Sequence, residues 1–192
     1  MVVENVVPGY TASMSVRVLA VPYDSGNRAV RMGAGPDRLP EHGVAHALCS
    51  AGYDLDVEHV EVRGDFRAEV ATSFDLYRRL SHCTRAAIDA GTYPLVLAGN
   101  CGSALGTVSG AGSEGMDIIW FDAHGDFTTP ETSTRGFLDG MGLAVLAGTC
   151  WQPLASTVPG FRPVPAGRIL HIGTRPRQGG GRTHASGRCD AH

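Results

Sequence analysis

The chain of 192 residues lacks the features that mark several classes of protein. No apolar run approaches the roughly 18 residues that a membrane-spanning helix needs. The N-terminus has no basic start followed by an apolar stretch, so no signal peptide is expected. Lys and Arg form no cluster and the net charge is -3, which gives no electrostatic case for binding nucleic acid.

Cysteines are few, scattered and odd in number, and no CxxC pair occurs among the five of them. This pattern argues against a disulfide framework and favours a reducing compartment, so a cytoplasmic protein is expected. Hydrophobic residues make up 43% of the chain and charged residues 18%, which is typical of a globular protein. The length suits one domain with a sizeable core.

Short apolar segments alternate with helical patterns along the chain. Strands are predicted at about residues 16–21, 55–62, 95–98, 118–121 and 168–172, and helices at about 40–51, 70–88, after 103, and 140–148. The clearest helix has apolar residues at helical spacing from Val70 to Ile88 and ends at Gly91. This order predicts an α/β fold in which helices cover both faces of a mainly parallel sheet.

Polar residues with metal-binding chemistry follow several of these strands. Asp24, Cys101 and the group Asp122, His124 and Asp126 all stand at carboxyl ends of predicted strands, where ligands gather in such sheets. Two carboxylates and one imidazole within five residues suit Mn²⁺, Mg²⁺ or Zn²⁺. In an extended segment all three side chains can face one ion. The simpler interpretation is a polar loop that caps a helix.

Three stretches of the sequence resemble motifs of the ureohydrolase superfamily, which comprises the arginase, agmatinase and formimidoylglutamase family. Residues 118–141 match its apolar strand, D-A-H-x-D motif, T-P pair and G-x-x-H-G turn without a gap, residues 95–106 resemble its G-G-D-H-S motif, and residues 21–36 resemble its first loop. The resemblance implies a three-layer α/β fold and hydrolysis of C–N bonds in small guanidino or amidino substrates.

The resemblance also implies a centre of two manganese ions that activates a water. It makes Cys101, Asp122, His124 and Asp126 the metal ligands, with Asp122 bridging. It further implies a homo-oligomer, a trimer or a hexamer. The charge and the short apolar runs of the chain predict no nucleic-acid or membrane partner.

Three residues depart from the family pattern. Cys101 stands where the family has a ligand His, and a thiolate favours zinc or iron over manganese; a small Cys in a tight turn is the alternative. Asn100 replaces an Asp. Asp139 replaces the His that is thought to shuttle protons, and it can act as an acid or base only if its pKa is raised; otherwise it is a solvated carboxylate.

The loop before Asp139 carries the candidate substrate contacts. Thr128, Arg135 and Phe137 occupy the positions where arginases hold the amino acid end of arginine. Arg135 would suit a carboxylate on the substrate, which argues against arginine itself. The alternative for Arg135 is a surface arginine on a loop.

The family's late S-x-D-x-D-x-x-D-P motif, which supplies two more Asp ligands, has no counterpart here, because the one Asp after Asp139 is Asp190. We therefore expect an arginase-like domain at 14–173 that is incomplete on its C-terminal side, preceded by an extension at 1–13. Residues 174–192 lack Val, Leu, Ile and Phe, which predicts a disordered tail or one translated from a shifted reading frame. An incomplete sheet also predicts exposed apolar surface and poor solubility.

Three classes of function remain open on the sequence. The intact D-A-H-x-D motif favours an enzyme, a metal-dependent amidine hydrolase. Asn100, Cys101 and Asp139 favour a catalytically inactive relative or an oligomer partner. A nucleotide-binding module is the third class, although neither G-x-G-x-x-G nor a GKS sequence is present.

Overall fold

A three-stranded parallel sheet in the order β4–β1–β5 forms the centre of the fold. The computed structural model describes residues 14–62, 64, 66 and 68–175. The three strands are β1 (Ser15–Val21), β4 (Asp54–His59) and β5 (Tyr93–Ala98). β1 is the central strand, with Val18 opposite both Val57 and Leu95, and it is apolar and almost wholly buried from Val18 onwards. The predicted α/β fold with parallel strands is confirmed.

Two further strand pairs lie outside the central sheet. β6 (Ile118–Phe121) and β7 (Ile169–Ile172) pair in parallel, and β2 (Tyr23–Asp24) and β3 (Asn27–Arg28) form a short antiparallel ribbon. Within the described ranges, β6 and β7 pair with no strand of the central sheet. The parallel strands are thus divided into two separate groups.

One face of the β6–β7 pair is apolar and exposed. Ile119 and Phe121 of β6 are 62% and 76% exposed, and Leu170 and Ile172, their partners in register on β7, are 50% and 40% exposed. The prediction that 118–121 is a buried strand is therefore wrong for half of its residues. The reason is that no described element covers this face, whereas Ile118 and Trp120 on the other face pack into the core.

The long helix α3 (Glu69–Asp89) packs closely on α4 (Ala104–Ala111). Phe74, Tyr77, Leu80, Thr84 and Ala87 are buried on its predicted face, and the chain leaves the helix at Gly91, which has a φ of 73°. Gly102, Gly106 and Gly110 recur every fourth residue on the α4 side. A Cβ at Gly106 would lie 2.6 Å from the Tyr77 carbonyl oxygen, so glycine is what allows the two helices to approach.

The other helices are short and surround this core. They are α1 (Gly35–Leu39), α2 (Ala45–Ser50), α5 (Gly142–Leu146) and α6 (Gln152–Ala155). The continuous helix predicted at 40–51 is wrong, because the backbone leaves helical geometry at His42 and at Gly43, whose φ is 119°. No described helix has the length and apolarity to cross a bilayer. The predicted extension at 1–13 and most of the predicted tail, 176–192, fall outside the described residues.

Candidate metal centre

The loops that follow β5 and β6 meet at the carboxyl ends of these strands. Sγ of Cys101 lies 3.6 Å from Oδ2 of Asp122. Ligand atoms of Cys101, Asp122 and Asp126 all lie within 4.8 Å of one another. The structure therefore brings together three of the four residues for which a metal-binding role is predicted, although they are separated by up to 25 positions in the sequence.

Glycines let the Cys101 loop take its position. A Cβ at Gly99 would overlap the carbonyl oxygen of Tyr23, so the chain passes directly against the start of β2. A 3-10 turn, Cys101–Ser103, then leads into α4. A Cβ at Gly102 would in turn overlap the hydroxyl of Tyr77, so this turn is pressed onto α3.

The segment after β6 is bent rather than extended. The backbone N–H of His124 donates to Oδ1 of Asp122 at 2.7 Å, and Asp126 has a φ of 45°, in the left-handed region. The prediction that an extended backbone directs all three side chains towards one ion is therefore wrong. His124 Nδ1 lies 3.1 Å from Oδ1 of Asp122, but its side chain is 80% exposed and stands outside the three-ligand cluster.

Asp126 is the most buried member of the cluster. It is 7% exposed, and its Oδ2 has no hydrogen-bond partner among the described residues. Burial, followed by the charges of Asp122 and Asp139, raises the pKa of Asp126 to about 6. Its carbonyl accepts the N–H groups of Leu143 at 2.9 Å and Ala144 at 3.1 Å, which fixes the residue against the start of α5.

Asp139 lies behind the cluster in a 3-10 turn, Leu138–Met141. Its Oδ1 accepts the Gly102 N–H at 2.8 Å, and its Oδ2 accepts the Asn100 side-chain amide at 3.1 Å. Burial outweighs these hydrogen bonds and raises the pKa of Asp139. This carboxylate is thus held in the protein and not simply solvated.

Asn100 also connects the site to Asp24, which had no assigned role at the sequence level beyond its place after a strand. Its amide lies 3.4 Å from Oδ1 of Asp24, whose carboxylate also receives two hydrogen bonds from Arg31 at 2.9 and 3.2 Å. Burial acts to raise the pKa of Asp24, but these bonds and one from Ser25 outweigh it and lower the pKa. In the sequence, the feature that indicates a role for Asn100 is its place between Gly99 and Cys101.

The candidate substrate residues lie on the loop between Asp126 and Asp139. The Thr128 hydroxyl donates a hydrogen bond to the backbone carbonyl of Gly140 at 2.6 Å. Arg135 and Phe137 are both exposed. The loop thus places two side chains in solvent and uses the third to hold the turn that carries Asp139.

The donor set fits one divalent cation, with one departure from a manganese site. The two carboxylates suit a hard cation, and one of them, Asp126, has a buried oxygen without a hydrogen-bond partner among the described residues. The thiol of Cys101 does not suit a hard cation, because sulfur is a soft ligand. Burial and the charges of Asp139, Asp126 and Asp122 raise the pKa of Cys101 to about 12, so in the metal-free protein this group is a neutral thiol.

These features define a class: a parallel α/β protein with a carboxylate-rich candidate metal centre at the strand ends. The sequence model of the Arginase family matches residues 14–188, and the chain belongs to the Arginase family. The arginase of Bacillus caldovelox is 29% identical over 173 residues, which cover 83% of this chain. The chain spans 58% of the length of that relative.

Solved arginase structures share the fold. The Bacillus subtilis arginase superposes with a TM-score of 0.76 at 26% identity, over 86% of this chain and 58% of that one. The Entamoeba histolytica arginase in complex with L-ornithine gives a TM-score of 0.73 at 25% identity, over 85% of this chain and 58% of that one. Both the predicted superfamily and the predicted fold are confirmed.

Proposed function

We propose that this protein is a metal-dependent hydrolase of C–N bonds in small amidines or guanidino compounds. The observation that supports this is the cluster of Cys101, Asp122 and Asp126 at the strand ends of an Arginase family member. The family resemblance favours manganese, with two ions in the complete family fold. Cys101, Asp122 and Asp126 would hold a cation here, and His124 would join them by rotating away from Asp122.

A bound divalent cation supplies a water of lowered pKa, which serves as the nucleophile near neutral pH. Asp122 orients the site, because His124 N–H fixes Oδ1 and leaves Oδ2 facing Cys101. Asp126 brings a carboxylate oxygen within 4.8 Å of the ligand atoms of Cys101 and Asp122, and its buried Oδ2 has no hydrogen-bond partner among the described residues. Asp139 is the proposed proton carrier to the leaving amine, since its raised pKa lets it hold a proton nearer neutral pH.

Turnover tests this proposal. Arginine, agmatine, guanidino acids and formiminoglutamate are each incubated with manganese-loaded protein, and release of urea, formamide or ammonia is measured. We expect turnover of one of them, lost in Asp122→Asn and kept in Asp117→Asn, an exposed aspartate just before β6 that pairs with Arg168. Absence of turnover with every substrate would instead indicate a catalytically inactive relative.

Two variants test the assigned roles. Asp139→Asn removes the proton carrier and is expected to lower kcat by about 10²–10⁴-fold, with loss of one limb of the pH profile. Arg135→Ala should raise KM for substrates that carry a carboxylate and leave agmatine, which has none, unchanged. Equal effects on both substrates would remove Arg135 from the substrate site.

The family resemblance also supports a homo-oligomer and a cytoplasmic location, and we propose both. Sedimentation velocity of the manganese-loaded protein tests for a trimer or hexamer. Fractionation of the source cells tests the location.

A further inference from the structure

Cys101 contributes the one sulfur atom in the three-ligand cluster. Its Sγ lies 3.6 Å from Oδ2 of Asp122, while the other thiols of the described chain lie outside the cluster. Sulfur ligands select thiophilic ions such as zinc, whereas manganese prefers oxygen and nitrogen. The chemistry of the donor set therefore disagrees with a site that is specialised for manganese.

Asp126 independently indicates that the cluster binds a cation. Its carboxylate is more than nine-tenths buried, and Oδ2 has no hydrogen-bond partner among the described residues. A buried carboxylate oxygen without a donor carries a desolvation cost that a bound cation would remove.

We propose that the thiolate of Cys101 is a direct metal ligand that makes this centre selective for Zn²⁺ over Mn²⁺. The inference rests on the metal centre of the proposed function, but it does not depend on turnover. Most protein sites already bind zinc more tightly than manganese. The specific claim is that Cys101 widens this difference.

The observed separation of the ligand atoms agrees with this assignment. Bond lengths of about 2.3 Å to sulfur and 2.1 Å to oxygen, at a tetrahedral angle, place the two ligand atoms about 3.6 Å apart. Sγ of Cys101 and Oδ2 of Asp122 are 3.6 Å apart without any rearrangement. Asp126 would be the third ligand, and a fourth position would remain open, as in catalytic zinc sites. Zinc binding would replace the thiol proton, which passes to solvent.

Cobalt substitution tests the sulfur ligand directly. The full chain, stripped of metal by a chelator, is titrated with Co²⁺, which gives a near-ultraviolet charge-transfer band only when sulfur is bound. We expect this band in the wild type and in Cys49→Ser, which changes an exposed cysteine outside the cluster. We expect its loss in Cys101→Ser and Cys101→Asp. Circular dichroism of the metal-free variants checks that each one folds.

Competition between ions tests the selectivity. Dissociation constants for Zn²⁺ and Mn²⁺ are measured with a chromophoric chelator for the wild type and Cys101→Asp, which supplies oxygen in place of sulfur. We expect the ratio of manganese to zinc dissociation constants to fall about tenfold or more in the variant, since even indirect partners of metal ligands alter affinity by about 10–100-fold. The cobalt band of the wild type is a readout that needs no variant to fold.

The outcomes separate this inference from the proposed function. Absence of the cobalt band, an unchanged ratio, or no binding of either ion would each overturn the inference. Manganese-dependent turnover that survives in Cys101→Asp, without a cobalt band in the wild type, would overturn it and leave the proposed function standing. Zinc selectivity that depends on Cys101, without turnover of any amidine, would support it and count against the proposed function.

Discussion

Asn100 hydrogen-bonds through its side-chain amide to the carboxylates of both Asp24 and Asp139. Its amide lies 3.1 Å from Oδ2 of Asp139 and 3.4 Å from Oδ1 of Asp24, and its own oxygen accepts the Ser25 N–H at 2.8 Å. An amide can serve all three contacts because it carries both donors and an acceptor. A carboxylate at the same position would keep the contact with Ser25 and replace two attractions by two repulsions.

Asn100→Asp is therefore expected to destabilise the protein at neutral pH by about 1–3 kcal/mol, because each carboxylate loses one of its donors and a like charge is added beside both. Urea denaturation gives the free energy of unfolding, and the deficit should shrink as the pH falls and the carboxylates bind protons. Asn27→Asp serves as the control, since among the described residues the side chain of Asn27 makes a hydrogen bond to the Ser25 carbonyl, at 3.1 Å, and none to a carboxylate. Equal loss in both variants would contradict the bridging role.

Asp126 gives the metal-free protein a defined pH dependence. Its pKa rises from 3.8 to about 6 on folding, so the folded state binds more protons than the unfolded chain between these values. Its favourable contribution is fully present below about pH 4 and is lost as the pH rises through 6. The neutral amide in Asp126→Asn does not ionise, so this decrease in the free energy of unfolding is absent from the variant. Between pH 4 and 7 the variant should therefore become more stable relative to the wild type, by on the order of 2 kcal/mol.

Denaturation of the metal-free protein at a series of pH values measures this difference. Asp117→Asn provides a control of opposite sign, because the hydrogen bond from Arg168 lowers the pKa of Asp117. The contribution of Asp117 is present above its unfolded pKa and is lost as the pH falls. A stability difference between wild type and Asp126→Asn that does not change with pH would show that the buried carboxylate is not the cause.

At the scale of elements, the contact between α3 and α4 depends on glycines at every fourth residue. Gly106→Ala would place a Cβ 2.6 Å from the Tyr77 carbonyl oxygen and 2.9 Å from Cβ of Leu80. Both neighbours belong to the buried face of α3, so the helices must separate, and we expect a loss of about 1–3 kcal/mol in the free energy of unfolding. Gly35→Ala is the control: nothing lies within 4 Å of a Cβ there, so stability should be unchanged or slightly raised. Similar thermal denaturation midpoints for the two variants would refute the close-packing argument.

Elements defined by local periodicity and the convergence of strand ends were predictable from the sequence, whereas individual side-chain hydrogen bonds between distant residues were not. The buried face of α3 and its end at Gly91 follow from spacing within one segment. The meeting of Cys101 and Asp122 was predicted because carboxyl ends of parallel strands converge. The bridge from Asn100 to Asp139 joins residues 39 positions apart through side-chain geometry, and no local pattern encodes it.

Two of the wrong predictions concern single elements, and each has a specific cause. The pattern at 40–51 fits one helix, but Gly43 adopts a φ of 119° and interrupts it. The run IIWF reads as a strand buried on both faces, because its composition is apolar throughout. Whether a second layer covers each face depends on other elements of the protein, and the run itself carries no such information.

At the scale of the whole molecule, the apolar face of β6 and β7 is exposed to solvent in the described part of the chain. Ile119, Phe121, Leu170 and Ile172 lie side by side on paired strands, and no described element packs on them. A continuous apolar patch of this kind promotes association. We expect the purified chain to associate with itself in a concentration-dependent manner and to bind a hydrophobic dye.

Replacing both β6 side chains, in Ile119→Ser/Phe121→Ser, should weaken this self-association at least tenfold, because burial of one large apolar side chain contributes about 1.5–3 kcal/mol and each 1.4 kcal/mol is a factor of ten in affinity. Sedimentation velocity over a range of concentrations measures the constant. Leu39→Ser is the matched control, since Leu39 is an exposed apolar residue on α1, away from this face. If the double variant and the control associate as strongly as the wild type, the association uses another surface. If only the double variant becomes monodisperse and keeps its circular dichroism spectrum, the apolar face of β6 and β7 is the contact.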